Sequence, residues 1–294
     1  MTIQDSLSLC IINGYPKRSR DALDASSVTQ AHDLYLRFLR EMTPNSNLDI
    51  LFIADLDTGL PEGTALNSYD GYIWTGSNLT IYHDDLEVTR QIEFSRAVYE
   101  ADVPQYGSCW GVQMAAMAAG GEVKKNPNGR EWSIARDITL TPEGKSHPMY
   151  TGKQHKFDGF IMHLDEVTRI PEGGTLLATN QHTHVQSLAV KYPGGGKFWA
   201  TQYHPEFTLY EMARLLIARK KYLVREGFFD EVSEVETLVE QMTELAQKPD
   251  DQALRQQLQV HSDILDDEIR QAEVRNWLQH LVIPERAKRQ AAIG

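Results

Sequence analysis

The sequence predicts an α/β protein: a mostly parallel central sheet flanked by helices, followed by a C-terminal helical extension. Three observations predict it. Short apolar runs alternate with helix-spaced runs through the first 120 residues. Such alternation calls for crossover connections, which lay strands parallel and cover both faces of a sheet. From residue 137 to 203 short apolar runs instead follow one another, separated by glycine, proline or asparagine, as consecutive strands do. Beyond Gly227 the chain becomes rich in Glu, Gln and Leu.

In chain order, residues 7–12 read as a buried first strand, stopped by Asn13-Gly14-Tyr15-Pro16. Residues 17–27 are polar and read as a surface loop. Residues 28–41 place Val28, Leu34, Leu36, Phe38 and Leu39 at helical spacing. Leu48 to Ala54 is the second strand. Gly71 to Trp74 is the third, ending at Thr75-Gly76-Ser77-Asn78. A helix over 84–101 and a short strand from Val103 to Tyr106 lead to a turn and a further helix from Val112 to Ala119. Further strands are expected at Asp137–Leu140, Phe160–His163, Thr175–Ala178, Val185–Val190 and Phe198–Tyr203, then a helix from Leu209 to Val224. Residues 1–224 are therefore expected to form one domain and 225–294 an acidic helical extension, with helices at 229–247, 250–260 and 262–282. From 222 to 294 there are 15 acidic and 8 basic residues, so this stretch carries seven of the chain's net twelve negative charges.

Composition narrows the function. A net charge of −12 argues against a nucleic-acid surface. No apolar run reaches 18 residues, so no membrane span is expected. The first residues lack the basic and apolar regions of a signal peptide. Two cysteines, Cys10 and Cys109, make no disulfide framework and fit a reducing, cytoplasmic setting. Cys10 lies inside an apolar run and reads as an inert core residue. Gln181-His182-Thr183-His184 has no Cys or carboxylate cluster at ligand spacing around it, so neither metal nor cofactor is expected.

Cys109 is the residue with chemistry to offer. In Gly107-Ser108-Cys109-Trp110-Gly111 it stands between a strand and a helix, the cysteine form of a nucleophile elbow. Such a turn strains the central residue and needs small flanking residues. It also presents the thiol at a helix N-terminus, where the dipole favours the thiolate. A cysteine nucleophile needs a proton-transfer partner and donors for a developing oxyanion. His204 ends the last strand. Glu206, two residues on, lies on the same side of an extended segment and is placed to orient the imidazole. The N–H of Trp110 is the expected first oxyanion donor, with the Gly76–Ser77 turn as the second contributor. Gln113, one helical turn beyond Cys109, points toward the mouth of the pocket.

Gly107–Gln113 together with Thr201–Phe207 resemble the class I glutamine amidotransferase domain over residues 6–222, most closely the glutaminase domain of GMP synthase and the stand-alone γ-glutamyl peptidases. Gly129–Ile134 resembles that family's segment lining the glutamine pocket, and Met162–Asp165 its His-x-Asp motif. The resemblance implies a flavodoxin-like sheet. It also implies attack by Cys109 on the side-chain amide of glutamine or of a γ-glutamyl compound, a cysteinyl thioester, and proton transfer by His204. Gln113, Ser133 and Ile134 would hold the substrate. Trp110 is bulkier than the family's usual residue, and is expected either to narrow the pocket or to stack on substrate. The chain carries no phosphate-binding loop and no pyrophosphatase loop. It is read as a free-standing hydrolase or, alternatively, as a glutaminase subunit feeding a separate synthetase. A catalytically silent binding protein on the same fold is the third reading. The C-terminal helices offer a surface for such a partner or for a second copy.

Overall fold

A computed structural model describes residues 2–293. The chain opens with β1 (Ser8–Ile12), α1 (Lys17–Ala25), α2 (Ala31–Met42), β2 (Asn47–Leu51), β3 (Gly71–Trp74), α3 (Leu86–Glu100), β4 (Gln105–Ser108) and α4 (Trp110–Ala118). A β-rich middle follows: β5 (Glu122–Lys125), β6 (Glu131–Leu140), α5 (Pro142–Ser146), β7 (Lys156–His163), β8 (Asp165–Arg169), β9 (Gly174–Thr179), β10 (Ser187–Lys191) and β11 (Lys197–Thr201). Helices α6 (Leu209–Ala218) and α7 (Lys220–Arg225) come next. The chain then forms α8 (Val232–Gln247), α9 (Gln252–Leu258), α10 (Ser262–Leu265), α11 (Asp267–Arg270), α12 (Ala272–Trp277) and α13 (Ile283–Ile293).

Nine strands form one sheet in the order β2-β1-β3-β4-β11-β10-β9-β6-β7. The pairings from β2 through β1, β3 and β4 to β11 are parallel. Those from β11 through β10, β9 and β6 to β7 are antiparallel. The first half is the crossover-connected layer that alternation in the sequence demands. The second is the run of consecutive strands. β5 and β8 make a separate antiparallel ribbon.

One apolar cluster joins β1, α2 and β6 to Val274, Trp277, Leu278, Leu281 and Val282 of the C-terminal stretch. Trp277 covers Gly71 so closely that a Cβ there would lie 2.8 Å from its ring. Its ring also meets Tyr106, 5.9 Å between centroids. A second cluster fills the opposite face between β1, β3, α3 and α4. A third packs α6 against Val235, Met242 and Leu245 of α8.

Two helical stretches depart from the sequence-based expectation. Residues 17–25 are helical, not loop. This helix buries none of its residues, so it has no apolar stripe to announce it. Arg20 ties it to the fold through Asp55, at 2.6 Å. The expected helix over 262–282 is broken into short pieces. Beyond it the chain continues through a π-turn, Leu278–Val282, into α13. Pro284 lacks the N–H that an α-helix needs there, and the wider π-turn just before it absorbs the mismatch. Among the described residues no helix is long and apolar enough to cross a membrane.

Candidate active site

Cys109 caps the N-terminus of α4 with φ 54° and ψ −93°. A positive φ is costly for a residue with a Cβ and is held only where neighbours over-determine it. Those neighbours are visible. The Cys109 N–H donates to Thr201 O of β11 at 2.8 Å, locking the end of β4. A Cβ on Gly107 would lie 2.7 Å from Gly111 Cα and 2.9 Å from Trp74 Cβ, so this turn closes only around glycine. The thiol is 6% exposed and contacts Met162 O at 3.7 Å. Cys10 is a different kind of residue: it sits in the core, where burial and then Asp49 push its thiol well up.

His204 and Glu206 follow β11, whose neighbour β4 carries the elbow. The parallel pairing thus brings residues far apart in sequence to one sheet edge. His204 Nδ1 meets Glu206 Oε1 at 2.7 Å, and both side chains are buried. Burial works against a charged imidazole. The Glu206 carboxylate and a hydrogen bond with the Cys109 thiol outweigh it and push the His204 pKa up to about 10. Phe207 stacks on the imidazole at 4.5 Å and limits its rotation.

Glu206 has a further support. Ser108 Oγ donates to Glu206 Oε1 at 2.8 Å, and Tyr35 Oη donates to Ser108 Oγ at 2.8 Å. A buried chain therefore runs Tyr35–Ser108–Glu206–His204–Cys109. Sequence reasoning missed Ser108 and Tyr35. In the sequence Ser108 stands out only as a small residue beside Cys109, and α2 only as a packing helix.

Gly76 follows β3 beside the imidazole. A Cβ there would lie 3.3 Å from His204 Cε1 and 3.7 Å from Tyr15 Oη. Ser77 Oγ donates to Gly14 O at 2.8 Å and accepts from Leu79 N at 3.2 Å, so its hydroxyl braces the turn. The Trp110 N–H belongs to the first turn of α4, where backbone donors have no intrahelical acceptor. Its indole is turned into the core, 1% exposed, donating to Gln91 Oε1 at 2.9 Å. The expectation that this ring stacks on a substrate is therefore corrected: Gln91 and the close pass of Gly14 hold it inside.

Cys109, His204, Ser77 and Gln113 line one cavity of about 330 Å³. That is the lower end of the range for small-molecule sites. Gln113 Nε2 donates to Asp165 O at 3.3 Å. His163 bonds to Asp165 O at 2.9 Å and Glu131 Oε2 at 3.0 Å. Burial opposes ionised Glu131, yet His163 and Asn180 hold its carboxyl below the usual value. This network braces the wall opposite α6.

Ser133 and Ile134 are not brought to that cavity. They line a separate one with Leu238 and Met242 of α8 and Leu258 of α9. The C-terminal helices cover this part of β6, which no reading of residues 129–134 alone reveals. Tyr15, Arg130, Arg219 and Tyr222 line the Cys109 cavity instead.

The chain as a whole has known relatives. The family model "Glutamine amidotransferase class-I" matches residues 62–222. The γ-glutamyl-L-1-hydroxyisopropylamide hydrolase of a Pseudomonas species is 37% identical over 78% of this chain and 78% of its own length. The chain belongs to the class I glutamine amidotransferase family. A GMP synthase from Symbiobacterium thermophilum is 34% identical, but the match spans 37% of this chain and 20% of that protein. A Thermotoga maritima glutamine amidotransferase structure superposes with a TM-score of 0.65 at 17% identity, covering 95% of this chain and 99% of that one, a likeness of fold.

Proposed function

We propose that the protein hydrolyses the side-chain amide of glutamine or of a γ-glutamyl amide through a thioester on Cys109. One observation carries the reading: a single buried imidazole, His204, is held between Glu206 and the Cys109 thiol at a strained elbow. The Cys109 thiol gives its proton to His204 as the sulfur adds to the γ-carbonyl carbon, and the carbonyl oxygen takes the negative charge. The Trp110 N–H and the Gly76–Ser77 backbone are the proposed donors to it. The α4 N-terminus adds its dipole. His204 gives its proton to the leaving nitrogen as the C–N bond breaks, leaving the γ-glutamyl thioester. Water then adds to that carbonyl while His204 takes its proton. The C–S bond breaks, releasing glutamate, and His204 returns that proton to the sulfur, restoring the thiol. Glu206 holds the imidazole through Nδ1 and stabilises its charged form. Gln113 is proposed to hold the substrate's amino-acid end.

The free-standing hydrolase is favoured because the Pseudomonas relative aligns over most of its own length. A glutaminase subunit serving a separate synthetase is the second reading. It rests on the GMP synthase match, which covers a fifth of that larger protein. Glutamate release from glutamine and from a panel of γ-glutamyl amides, with Cys109→Ala as control, tests the proposal. Turnover by the isolated chain that vanishes in the variant is expected. Equal turnover with and without the thiol would exclude the mechanism. Turnover only after a synthetase is added would favour the second reading.

A further inference from the structure

Two arginines line the Cys109 cavity, and they differ in one respect. Arg130 is already paired. Its Nε meets Glu226 Oε2 at 2.7 Å, and its guanidinium reaches the Tyr222 hydroxyl at 3.2 Å and lies over that ring. Arg219, at the junction of α6 and α7, is half-buried and has no side-chain hydrogen bond or ion pair among the described residues. A guanidinium is always charged and offers a planar fork of donors shaped for a carboxylate.

Tyr15 stands beside it. Its hydroxyl lies against Gly76, on the same side as the imidazole, and lines the same cavity. Burial, opposed by Arg219 and reinforced by Cys109 and Glu206, pushes its pKa up to about 12. The hydroxyl is thus a neutral donor at ordinary pH. Its oxygen has no hydrogen-bond partner among the described residues, although its backbone N–H is used by Asn13. An unpaired cation and a free hydroxyl facing one small cavity beside a nucleophile make a receptor for a carboxylate.

We infer that Arg219 and Tyr15 form a carboxylate-binding subsite that fixes the substrate on Cys109. This rests on the γ-glutamyl hydrolase reading above. Such a substrate has two sources of the group: the α-carboxylate of its glutamyl part, or a carboxylate on the departing amine. Either forms a bidentate pair with the guanidinium, with the Tyr15 hydroxyl donating to a second lone pair of one of the two oxygens.

Three compounds separate the sources: γ-glutamylglycine; γ-glutamylglycinamide, which lacks the leaving-group carboxylate; and the γ-glycyl derivative of glutamic acid α-amide, which lacks the α-carboxylate. In Arg219→Gln, kcat/KM for γ-glutamylglycine is expected to fall by about 10- to 100-fold, mainly through KM, as for a lost charged hydrogen bond made equally in ground and transition states. Arg219→Lys should recover part of it and Tyr15→Phe should lose less. Against whichever analogue lacks the recognised carboxylate, wild type and Arg219→Gln should be equal. That analogue identifies the source. A loss of the same size on all three compounds, or no loss on any, overturns the subsite while leaving the hydrolase reading intact. Should the wild type turn over none of them, that reading fails separately. Calorimetric binding of the same compounds to Cys109→Ala, with and without Arg219→Gln, then decides the subsite. Arginine-dependent binding upholds it, and arginine-independent or absent binding overturns it.

Discussion

Ser108 and Glu206, 98 positions apart in the chain, are joined by a 2.8 Å hydrogen bond from the serine hydroxyl to Oε1, the oxygen that also holds His204. The residue before the nucleophile thus steadies the carboxylate behind the imidazole. Glu206 Oε2 is buried with no hydrogen-bond partner among the described residues, so the anchoring of this carboxylate runs through Oε1. Ser108→Ala should lower kcat by about tenfold with little change in KM, the size of one lost charged hydrogen bond. Steady-state kinetics on glutamine or a γ-glutamyl amide checks it. An unchanged kcat would make Ser108 a packing residue only.

Gly76 has a conformation open to alanine but no room for it, since the added carbon would crowd His204 Cε1 at 3.3 Å. Gly76→Ala should lower the unfolding free energy by only about 1 kcal/mol, the usual size for a single substitution. It should cut kcat by roughly tenfold or more through a displaced imidazole and a crowded oxyanion turn. Denaturant unfolding and initial rates, measured together, separate the two effects.

The His204 pKa is raised from 6.5 to about 10, which fixes the sign of a stability effect. The folded state holds this proton more tightly than the unfolded state. The stabilisation is complete below about pH 6.5, declines above it, and is lost as pH rises through 10. Each unit separating the two pKa values is worth about 1.4 kcal/mol. Urea unfolding of wild type should weaken between pH 7 and 10 relative to His204→Gln. Parallel curves would mean that the imidazole is neutral in the fold.

Trp277 is fully buried over Gly71 and Tyr106, and its indole N–H has no acceptor among the described residues. Trp277→Ala should cost about 3–5 kcal/mol, as for a large ring removed from a core. Trp277→Phe should cost less than that, because no hydrogen bond is lost with the ring nitrogen. Thermal unfolding of both variants decides it. Equal losses would show that ring volume is not what matters there.

Much of the fold is legible where periodicity is strong. β1, α2, β3, α3, β4 and α4 lie within a few residues of the expected segments, because each has a clear apolar face or run. α1 is invisible because it buries nothing. β5 and β8 escape notice because their ribbon buries little beyond Val123 and Val167. In the site, Cys109, His204 and Glu206 are legible because elbow and strand-end chemistry restricts residue type at fixed local spacing. Tyr15, Tyr35 and Arg219 are not. Tyr15 and Arg219 reach the cavity, and Tyr35 reaches Ser108 behind it, from three separate elements that only the sheet order 1-3-4-11 brings together. Ser133 and Ile134 show the converse: local similarity marks the segment, while the distant α8–α9 pair decides what it faces.

Placing Trp277 and Val282 beneath β3 and β4 has a consequence for biosynthesis. A nascent polypeptide made as far as residue 224 already contains Cys109 and His204. The greasy floor beneath them is still bare. At about 5–20 residues per second, roughly 3–12 s pass before residue 282 is made. Throughout that interval Gly71 and Tyr106 lie open to the solvent and to chaperones, and the thiol waits on an unfinished foundation.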